Sequence, residues 1–250
     1  MFEFLYAGTM SLEAIIFDVD GTLADTERDG HRPAFNAAFR KAGLHWQWDE
    51  ILYGRLLAVT GGKERIKHYA TLFDPEFLDC PDSEARIALL HAAKTRHFLA
   101  LLESGGIPLR PGVERLIDDS RADGLRLAIA TTTTRENVTT LLRVSLGATA
   151  ESWFEVIAAG DIVPAKKPAP DIYHWVLQRL ALPANSCLAI EDSANGLAAS
   201  LGAGIPTLIS ANAYTADQDF SGALAVVPDL GAVALSELRR AYSESYGWHK

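Results

Sequence analysis

The stretch Ala14-Ile15-Ile16-Phe17-Asp18-Val19-Asp20-Gly21-Thr22-Leu23 decides the fold of this chain. An apolar run of strand length ends in two carboxylates and a glycine that favours a sharp turn. We therefore expect Asp18 and Asp20 at the carboxyl edge of a sheet, where open α/β sheets bind ligands. Because two acids this close repel each other, the pattern favours a bound divalent cation or a shared proton.

The composition is that of an ordinary globular protein. The chain has 250 residues, 48% of them hydrophobic, which suffices for one large domain or a domain with an insertion. A formal net charge of -9 argues against nucleic acid and anionic membranes as partners, because either would require a basic surface. Cys80 and Cys187 are too few for a disulfide framework, so we expect two reduced thiols.

The first ten residues differ from a targeting segment. They carry an acid and no basic residue, whereas a secretory signal begins with positive charge and continues with an apolar core. No apolar run elsewhere approaches the roughly 20 residues of a membrane helix. We expect residues 1–10 to lie outside the fold and the protein to be cytoplasmic.

The rest of the chain shows two different patterns of apolar residues. Residues 24–109 carry only helical patterns, whereas apolar strands alternate with amphipathic helices after Pro111. Such alternation is typical of a doubly wound parallel sheet with right-handed crossovers. We predict an α/β protein whose Rossmann-like parallel sheet is formed by residues 11–23 and 110–250, with residues 24–109 inserted as a helical domain.

Polar residues follow three further predicted strands. Thr131, Thr132 and Thr133 offer hydroxyls and amides at a helix start, Lys167 precedes a proline, and Glu191 with Asp192 ends an apolar run. Each has an ordinary explanation by itself, such as a helix cap or a solvated lysine. Their joint position at strand ends points to one shared site.

The inserted block contains a candidate anion site. Gly61 and Gly62 precede a helical pattern and leave bare N–H groups where the helix dipole attracts anions. Lys63 and Arg65 add positive charge. Together these features predict a seat for a phosphate group; the alternative is a solvated, charged helix start.

Four motifs in order resemble those of the haloacid dehalogenase superfamily. They are Asp-x-Asp-Gly-Thr after a strand, a threonine at the next strand end, Lys-Pro-x-Pro-Asp, and Glu-Asp-Ser-x-x-Gly. The resemblance implies that Asp18 is a nucleophile and Asp20 a general acid and base. It also implies that Thr131 hydrogen-bonds the transferring phosphoryl group and that Lys167 offsets its charge.

The same resemblance implies a metal site. Its ligands would be a carboxylate oxygen of Asp18, the backbone carbonyl of Asp20, Asp192, and Glu191 directly or through water. Hard oxygen ligands without histidine or cysteine favour Mg²⁺ over zinc.

The helical block resembles the cap of the β-phosphoglucomutase-like branch. Segments 25–32, 60–66 and 130–133, with Trp46 and Trp48, are similar to CbbY-like proteins, which include xylulose-1,5-bisphosphate phosphatases that remove a Rubisco inhibitor. The resemblance implies an Mg²⁺-dependent enzyme that hydrolyses a small phosphorylated sugar, and we expect it to act as a monomer. The implied substrate-binding residues are Glu27, His31, Thr60, Gly61, Gly62, Lys63, Arg65, Thr132 and Thr133.

Two other functions fit parts of the pattern. A sugar phosphomutase forms the same aspartyl-phosphate but returns the phosphoryl group to a sugar hydroxyl. A non-catalytic binder on this scaffold would be expected to lack the nucleophile or the lysine, whereas Asp18, Asp20, Lys167 and Asp192 are all present.

Overall fold

A six-stranded parallel sheet forms the centre of the computed structural model, which describes residues 11–247. The strands are β1 (Ala14–Phe17), β2 (Arg126–Ala130), β3 (Phe154–Ala158), β4 (Cys187–Glu191), β5 (Thr207–Ser210) and β6 (Ala225–Val227). Their order is β3-β2-β1-β4-β5-β6, and each neighbouring pair is parallel. The predicted parallel α/β architecture is therefore confirmed.

Helices fill both faces of the sheet and the insertion after β1. A π-helical turn at Glu27–His31 and two 3-10 turns at Ala150–Trp153 and Ala184–Ser186 join the longer elements. The helices are α1 (Arg32–Lys41), α2 (Glu50–Leu56), α3 (Gly62–Phe73), α4 (Glu76–Asp79), α5 (Ser83–Glu103), α6 (Val113–Ala122), α7 (Arg135–Leu146), α8 (Asp171–Leu180), α9 (Ala194–Gly202) and α10 (Leu235–Gly247).

Strand β1 is buried on both sides, which explains its continuous apolar sequence. Ile15 and Phe17 belong to one core cluster, with residues of α6, α7 and α10, while Ala14 and Ile16 belong to a second cluster with α8 and α9. Since successive strand residues face opposite sides, one run of four supplies both layers.

The order of the strands creates a ligand site beside β1. The chain proceeds outward from β1 through β2 to β3 and then returns to β4 on the other side of β1. Such a reversal opens a crevice at the carboxyl ends of the two central strands. Asp18 and Asp192 follow those strands directly.

The segment between β1 and α6 is helical in the described chain and has its own aromatic core. Phe35, Phe39, Trp48 and Tyr53 are fully buried in this cluster, and Trp46 is nearly so. Trp46 and Trp48, which the aromatic turn at residues 45–50 predicts to pack rather than to contact a ligand, therefore belong to this core. The two ends of the segment meet, because Ala24 forms a β-bridge with Leu109.

Several boundaries differ from the sequence prediction. The sequence predicts a helix over residues 24–43, with a start near His31 as the alternative; the structure has the π-helical turn Glu27–His31 and then α1 from Arg32, in agreement with the alternative. The helix predicted over residues 137–145 begins two residues earlier, at Arg135, because Thr134 caps it. The sequence analysis did not predict strand β6 or helix α10. The expectation for residues 1–10 lies outside the described residues. No helix among residues 11–247 is long and apolar enough to cross a membrane.

Candidate active site

The carboxylate of Asp18 lies beside the ammonium of Lys167 at the end of β1. Lys167 Nζ donates to Asp18 Oδ1 at 2.7 Å and to Glu191 Oε1 at 2.5 Å. Its third acceptor is the backbone carbonyl of Ala130, at 2.9 Å. The hydroxyl of Tyr173 donates to the same Glu191 oxygen at 2.5 Å. One buried cation thus joins carboxylates from the ends of β1 and β4.

Burial changes the ionisation of these groups. It raises the pKa of Asp18 to about 8, although Lys167 opposes the shift. Burial and the neighbouring Asp18 and Glu191 charges raise the pKa of Asp192 well above its usual range. The pKa of Lys167 is raised because its two carboxylate partners outweigh burial. Since the acids outnumber the lysine, the site favours a further cation.

Three carboxylates are arranged so that they could hold such a cation. Oxygen atoms of Asp18, Glu191 and Asp192 all lie within 4.8 Å of one another. Gly21 has a φ of +87°, and a Cβ there would lie 2.2 Å from Asp192 Oδ2. The loop therefore approaches Asp192 as only glycine allows. Hard oxygen donors of this kind fit Mg²⁺ better than zinc.

Asp20 faces the helical segment rather than the acidic cluster. Its Oδ1 is 2.9 Å from His31 Nε2 and accepts a hydrogen bond from Thr26 Oγ1 at 2.6 Å. Burial would raise the pKa of Asp20, but the His31 charge and the two hydrogen bonds outweigh it and hold this pKa below its usual range. The His31 ring is positioned by Phe98 of α5, whose centroid lies 3.9 Å away.

The threonines after β2 line the opposite wall. Thr131 is buried, its N–H donates to Ala158 O at 3.0 Å, and its hydroxyl accepts from the Thr133 N–H at 3.3 Å. The Thr133 hydroxyl in turn accepts from Asn137 at 2.8 Å. Thr132 lies between them, just before α7. The predicted hydroxyl-rich turn is therefore brought to the same edge as Asp18.

The glycine turn of the helical segment opens towards the sheet. Gly61 has a φ of +99° and Gly62 begins α3, so the first amides of this helix have no acceptor within it, and both glycines line the space between the segment and the sheet. Thr60 reaches the sheet domain, since its hydroxyl accepts from Asn195 Nδ2 at 3.3 Å. Lys63 is 43% exposed at its side chain and pairs with Asp161 at 3.0 Å.

Arg65 is buried, unlike Lys63, and is held by two partners from the helical segment. Its Nη1 donates to the Tyr53 hydroxyl at 2.9 Å and lies 3.7 Å from Glu27 Oε2. The Tyr53 hydroxyl donates to that same carboxylate. Arg65 and Glu27 nevertheless both reach the space between the segment and the sheet.

Two adjoining cavities occupy that space. The first, here called the acidic cavity, has a volume of about 270 Å³, and the second, the basic cavity, about 320 Å³. Asp20, Glu27, Gly61, Arg65 and Thr132 line both. The acidic cavity is further lined by Asp18, Thr60, Thr131, Lys167, Glu191 and Asp192, and the basic cavity by His31, Gly62, Lys63, His91, Lys94, Thr133, Arg135 and Lys166.

Comparison with known families agrees with this arrangement. Residues 12–204 match the family model described as haloacid dehalogenase-like hydrolase. The chain belongs to the haloacid dehalogenase-like hydrolases. The match spans strands β1 to β4 and the helical segment inserted after β1.

Individual relatives within the haloacid dehalogenase-like hydrolases are similar over most of the chain. Protein CbbY of Cupriavidus necator is 52% identical over 88% of this chain and 86% of its own. A crystal structure of a CbbY variant from Rhodobacter sphaeroides in complex with xylulose 1,5-bisphosphate is 45% identical, covers 91% of this chain and 99% of that chain, and has a TM-score of 0.84.

A more distant structure shows the extent of the shared fold. β-Phosphoglucomutase from Clostridium difficile is 20% identical, covers 94% of this chain and 98% of that one, and has a TM-score of 0.75, which shows the fold alone. The predicted family and enzyme class are confirmed by the family match and the CbbY relatives: this haloacid dehalogenase-like hydrolase is a phosphoric monoester hydrolase.

Sequence reasoning missed four basic residues of the basic cavity, namely His91, Lys94, Arg135 and Lys166. The first two belong to the helical segment and are the more buried. Lys94 is 5% exposed, with its ammonium 5.0 Å from the Phe35 ring centroid and 5.3 Å from that of Phe98. Burial lowers the pKa of Lys94 to about 8 and the pKa of His91 to about 4. The sequence does contain a signal for Lys94, which interrupts the apolar face of α5 between Leu90 and Phe98.

Proposed function

We propose that the protein hydrolyses xylulose 1,5-bisphosphate to xylulose 5-phosphate through an aspartyl-phosphate on Asp18. The observation that carries the proposal is the pair of adjoining cavities with different charge. The acidic cavity is suited to a phosphate that reacts beside Asp18 and a divalent cation, and the basic cavity to a phosphate that is only bound. The CbbY variant crystallised with this bisphosphate supports the same substrate.

The second phosphate is assigned to the basic cavity. The amides at Gly61 and Gly62, the exposed ammonium of Lys63 and the turn at Thr132 and Thr133 border it from both sides. Amides at a helix start and a nearby lysine bind an anion through the helix dipole and direct charge. Arg65 contributes charge from its buried position, with Glu27 and Tyr53 fixing its guanidinium.

The reacting phosphate is assigned to the space between Asp18 and Thr131. A carboxylate oxygen of Asp18 attacks phosphorus, and the bond from phosphorus to the sugar oxygen breaks as the new bond forms. Lys167, 2.7 Å from Asp18, offsets the repulsion between two anions that must approach each other. Thr131 orients a phosphoryl oxygen with its hydroxyl, whose oxygen accepts from Thr133 and whose proton remains to donate.

Asp20 is assigned the proton transfers. In the present arrangement the His31 pair keeps it ionised, which is the form that activates water for hydrolysis of the aspartyl-phosphate. To protonate the leaving sugar oxygen it must first take up a proton. An incoming phosphate favours this, because a like charge raises the pKa of a carboxylate.

The proposed cofactor is Mg²⁺, held by Asp18, Asp192, the backbone carbonyl of Asp20, and Glu191 directly or through water. When bound it supplies Lewis-acid stabilisation of charge on the phosphoryl oxygens. Glu191 also holds Lys167 and Tyr173, so a contact through water leaves those hydrogen bonds intact.

Residues 24–109 are proposed to act as a cap on a core formed by residues 11–23 and 110–250. Binding of the second phosphate would draw the cap closed and exclude water before the chemical step. We also propose that the protein acts as a cytoplasmic monomer and that removal of this Rubisco inhibitor is its role.

A panel of pentose and hexose mono- and bisphosphates with Mg²⁺ tests the proposal. Fastest release of phosphate from xylulose 1,5-bisphosphate, with xylulose 5-phosphate as product, is expected. Formation of a hexose 6-phosphate from a hexose 1-phosphate would instead establish the phosphomutase alternative. Binding of these compounds with turnover of none would establish the non-catalytic alternative.

A further inference from the structure

Arg110 lies where the helical segment rejoins the sheet. It follows Leu109, the residue that bridges to Ala24, and its N–H donates to Leu23 O at 2.8 Å. Only 5% of its side chain is exposed. A cation buried at this junction requires partners that compensate for its lost hydration.

The Arg110 guanidinium gathers four backbone carbonyls from three separate loops. Nη1 donates to Gly21 O and, at 2.7 Å, to Ser210 O. Nη2 donates to Ala211 O at 2.6 Å and to Pro228 O at 2.7 Å. The rigid fork of an arginine can satisfy this many acceptors at once, whereas the point charge of a lysine cannot.

Two of those loops support the acidic cluster. Gly21 follows Asp20, and Ala211 precedes Asn212, whose amide donates to Asp192 Oδ2 at 2.6 Å. The same amide lies 3.5 Å from Gly21 O. Arg110 and Asn212 therefore both contact the backbone carbonyl of Gly21, and Asn212 also donates to the carboxylate of Asp192.

We propose that Arg110 is a positioning residue for Asp192, acting through Asn212. By fixing the carbonyls of Gly21 and Ala211, it sets the place from which the Asn212 amide orients the Asp192 carboxylate. The proposal rests on the proposed metal-dependent function. It also joins the end of the helical segment to the metal site, because Arg110 belongs to that junction.

The test is direct binding of Mn²⁺ to purified metal-free protein, followed by the electron paramagnetic resonance signal of free Mn²⁺. Loss of an outer partner of a metal ligand costs about 10- to 100-fold in affinity. We expect Arg110→Gln and Asn212→Ala each to raise the Kd for Mn²⁺ about tenfold. Because both act along one path, the double variant should stay within about twofold of Asn212→Ala.

Arg115 provides a matched control. It too donates to backbone carbonyls, those of Leu230 at 2.9 Å, Gly231 at 3.2 Å and Val233 at 3.0 Å, but none belongs to the loops beside Asp192. Arg115→Gln should change the melting temperature and leave the Kd for Mn²⁺ at the wild-type value. Arg110→Lys replaces Arg110→Gln in the comparison if the latter does not fold.

The outcomes separate the two claims. A folded Arg110 variant that binds Mn²⁺ like wild type would overturn the positioning role alone, as would a double variant weakened about 100-fold, the product of two independent effects. Wild-type protein that binds no Mn²⁺ would overturn the metal-dependent function and this role together.

Discussion

Lys63 Nζ lies 3.0 Å from Asp161 Oδ2, so a cation of α3 is paired with the loop that follows β3. Asp161 also pairs with Lys166 at 3.1 Å, and Lys166 pairs with Glu64 of α3 at 2.9 Å. Four alternating charges therefore connect the helical segment to the sheet beside the basic cavity. A second phosphate bound there would compete with Asp161 for the two lysines.

Replacing Lys63 by alanine tests whether this lysine binds the second phosphate. We expect the KM for xylulose 1,5-bisphosphate to rise about fivefold with little change in kcat, since an exposed charge pair contributes about 1 kcal/mol. The KM for p-nitrophenyl phosphate, which has no second phosphate, should stay constant. Lys67→Ala, at an exposed position of the same helix, is the control. Equal losses on both substrates would place the second phosphate elsewhere.

Replacing Lys167 by methionine leaves Asp18 and Glu191 buried without their shared cation. Removing one partner of a buried ion pair costs about 3–5 kcal/mol, so the free energy of unfolding of the metal-free protein should fall by this order at pH 8. Urea denaturation measures the change. Lys166→Met, which removes a less buried lysine, should cost about 1 kcal/mol or less.

The loss in Lys167→Met should also depend on pH. Burial raises the pKa of Asp18 to about 8 even with Lys167 present, and loss of the lysine raises it further. A carboxyl whose pKa is raised by folding contributes stability at low pH that disappears as pH rises. Below about pH 7 the Asp18 carboxyl is protonated in both folded proteins, so the difference from wild type should be the same at pH 5 and pH 7. It should be larger at about pH 9, where the carboxyl has ionised in wild type but not in the variant. An equal difference at pH 7 and pH 9 would show that these carboxylates are solvated.

His91 should make the folded protein less stable in mild acid. Burial and the nearby lysines lower its pKa to about 4, below the value of about 6.5 for an unfolded chain. The free energy of unfolding is unaffected by His91 above the unfolded pKa. As the pH falls from there towards 4, the free energy of unfolding decreases by roughly 1 kcal/mol per pH unit, because the unfolded chain takes up a proton that folded His91 does not. His91→Gln should flatten this part of the unfolding profile. His174→Gln, at an exposed position, serves as the control. If the unfolding free energy of His91→Gln depended on pH in the same way as that of wild type, His91 would not be the group responsible.

The sheet could be predicted because its central strands are buried on both faces. Continuous apolar runs such as Ala14–Phe17 and Cys187–Glu191 have no competing interpretation when turn residues and acids end them. Edge elements lack this signal. Strand β6 is three half-exposed or exposed residues, and its position depends on pairing with β5 rather than on its own sequence.

The site could be predicted where one residue type at a strand end decides the chemistry. The structure brings Asp18, Lys167, Glu191 and Asp192 together as the motif order implied. Residues whose role depends on tertiary contacts could not be predicted from the sequence. Arg110 collects carbonyls from loops about 90 to 120 residues distant, as the separations of its acceptors show.

Release of inorganic phosphate from xylulose 1,5-bisphosphate in the presence of Mg²⁺, measured side by side for wild type and Asp18→Asn, tests the central claim most directly. Wild type should release one phosphate per substrate and leave xylulose 5-phosphate, while the variant, with unchanged circular dichroism, should release none. A variant as active as wild type would contradict the role of Asp18 as nucleophile. A wild-type protein inactive on this substrate would contradict the assignment of the substrate.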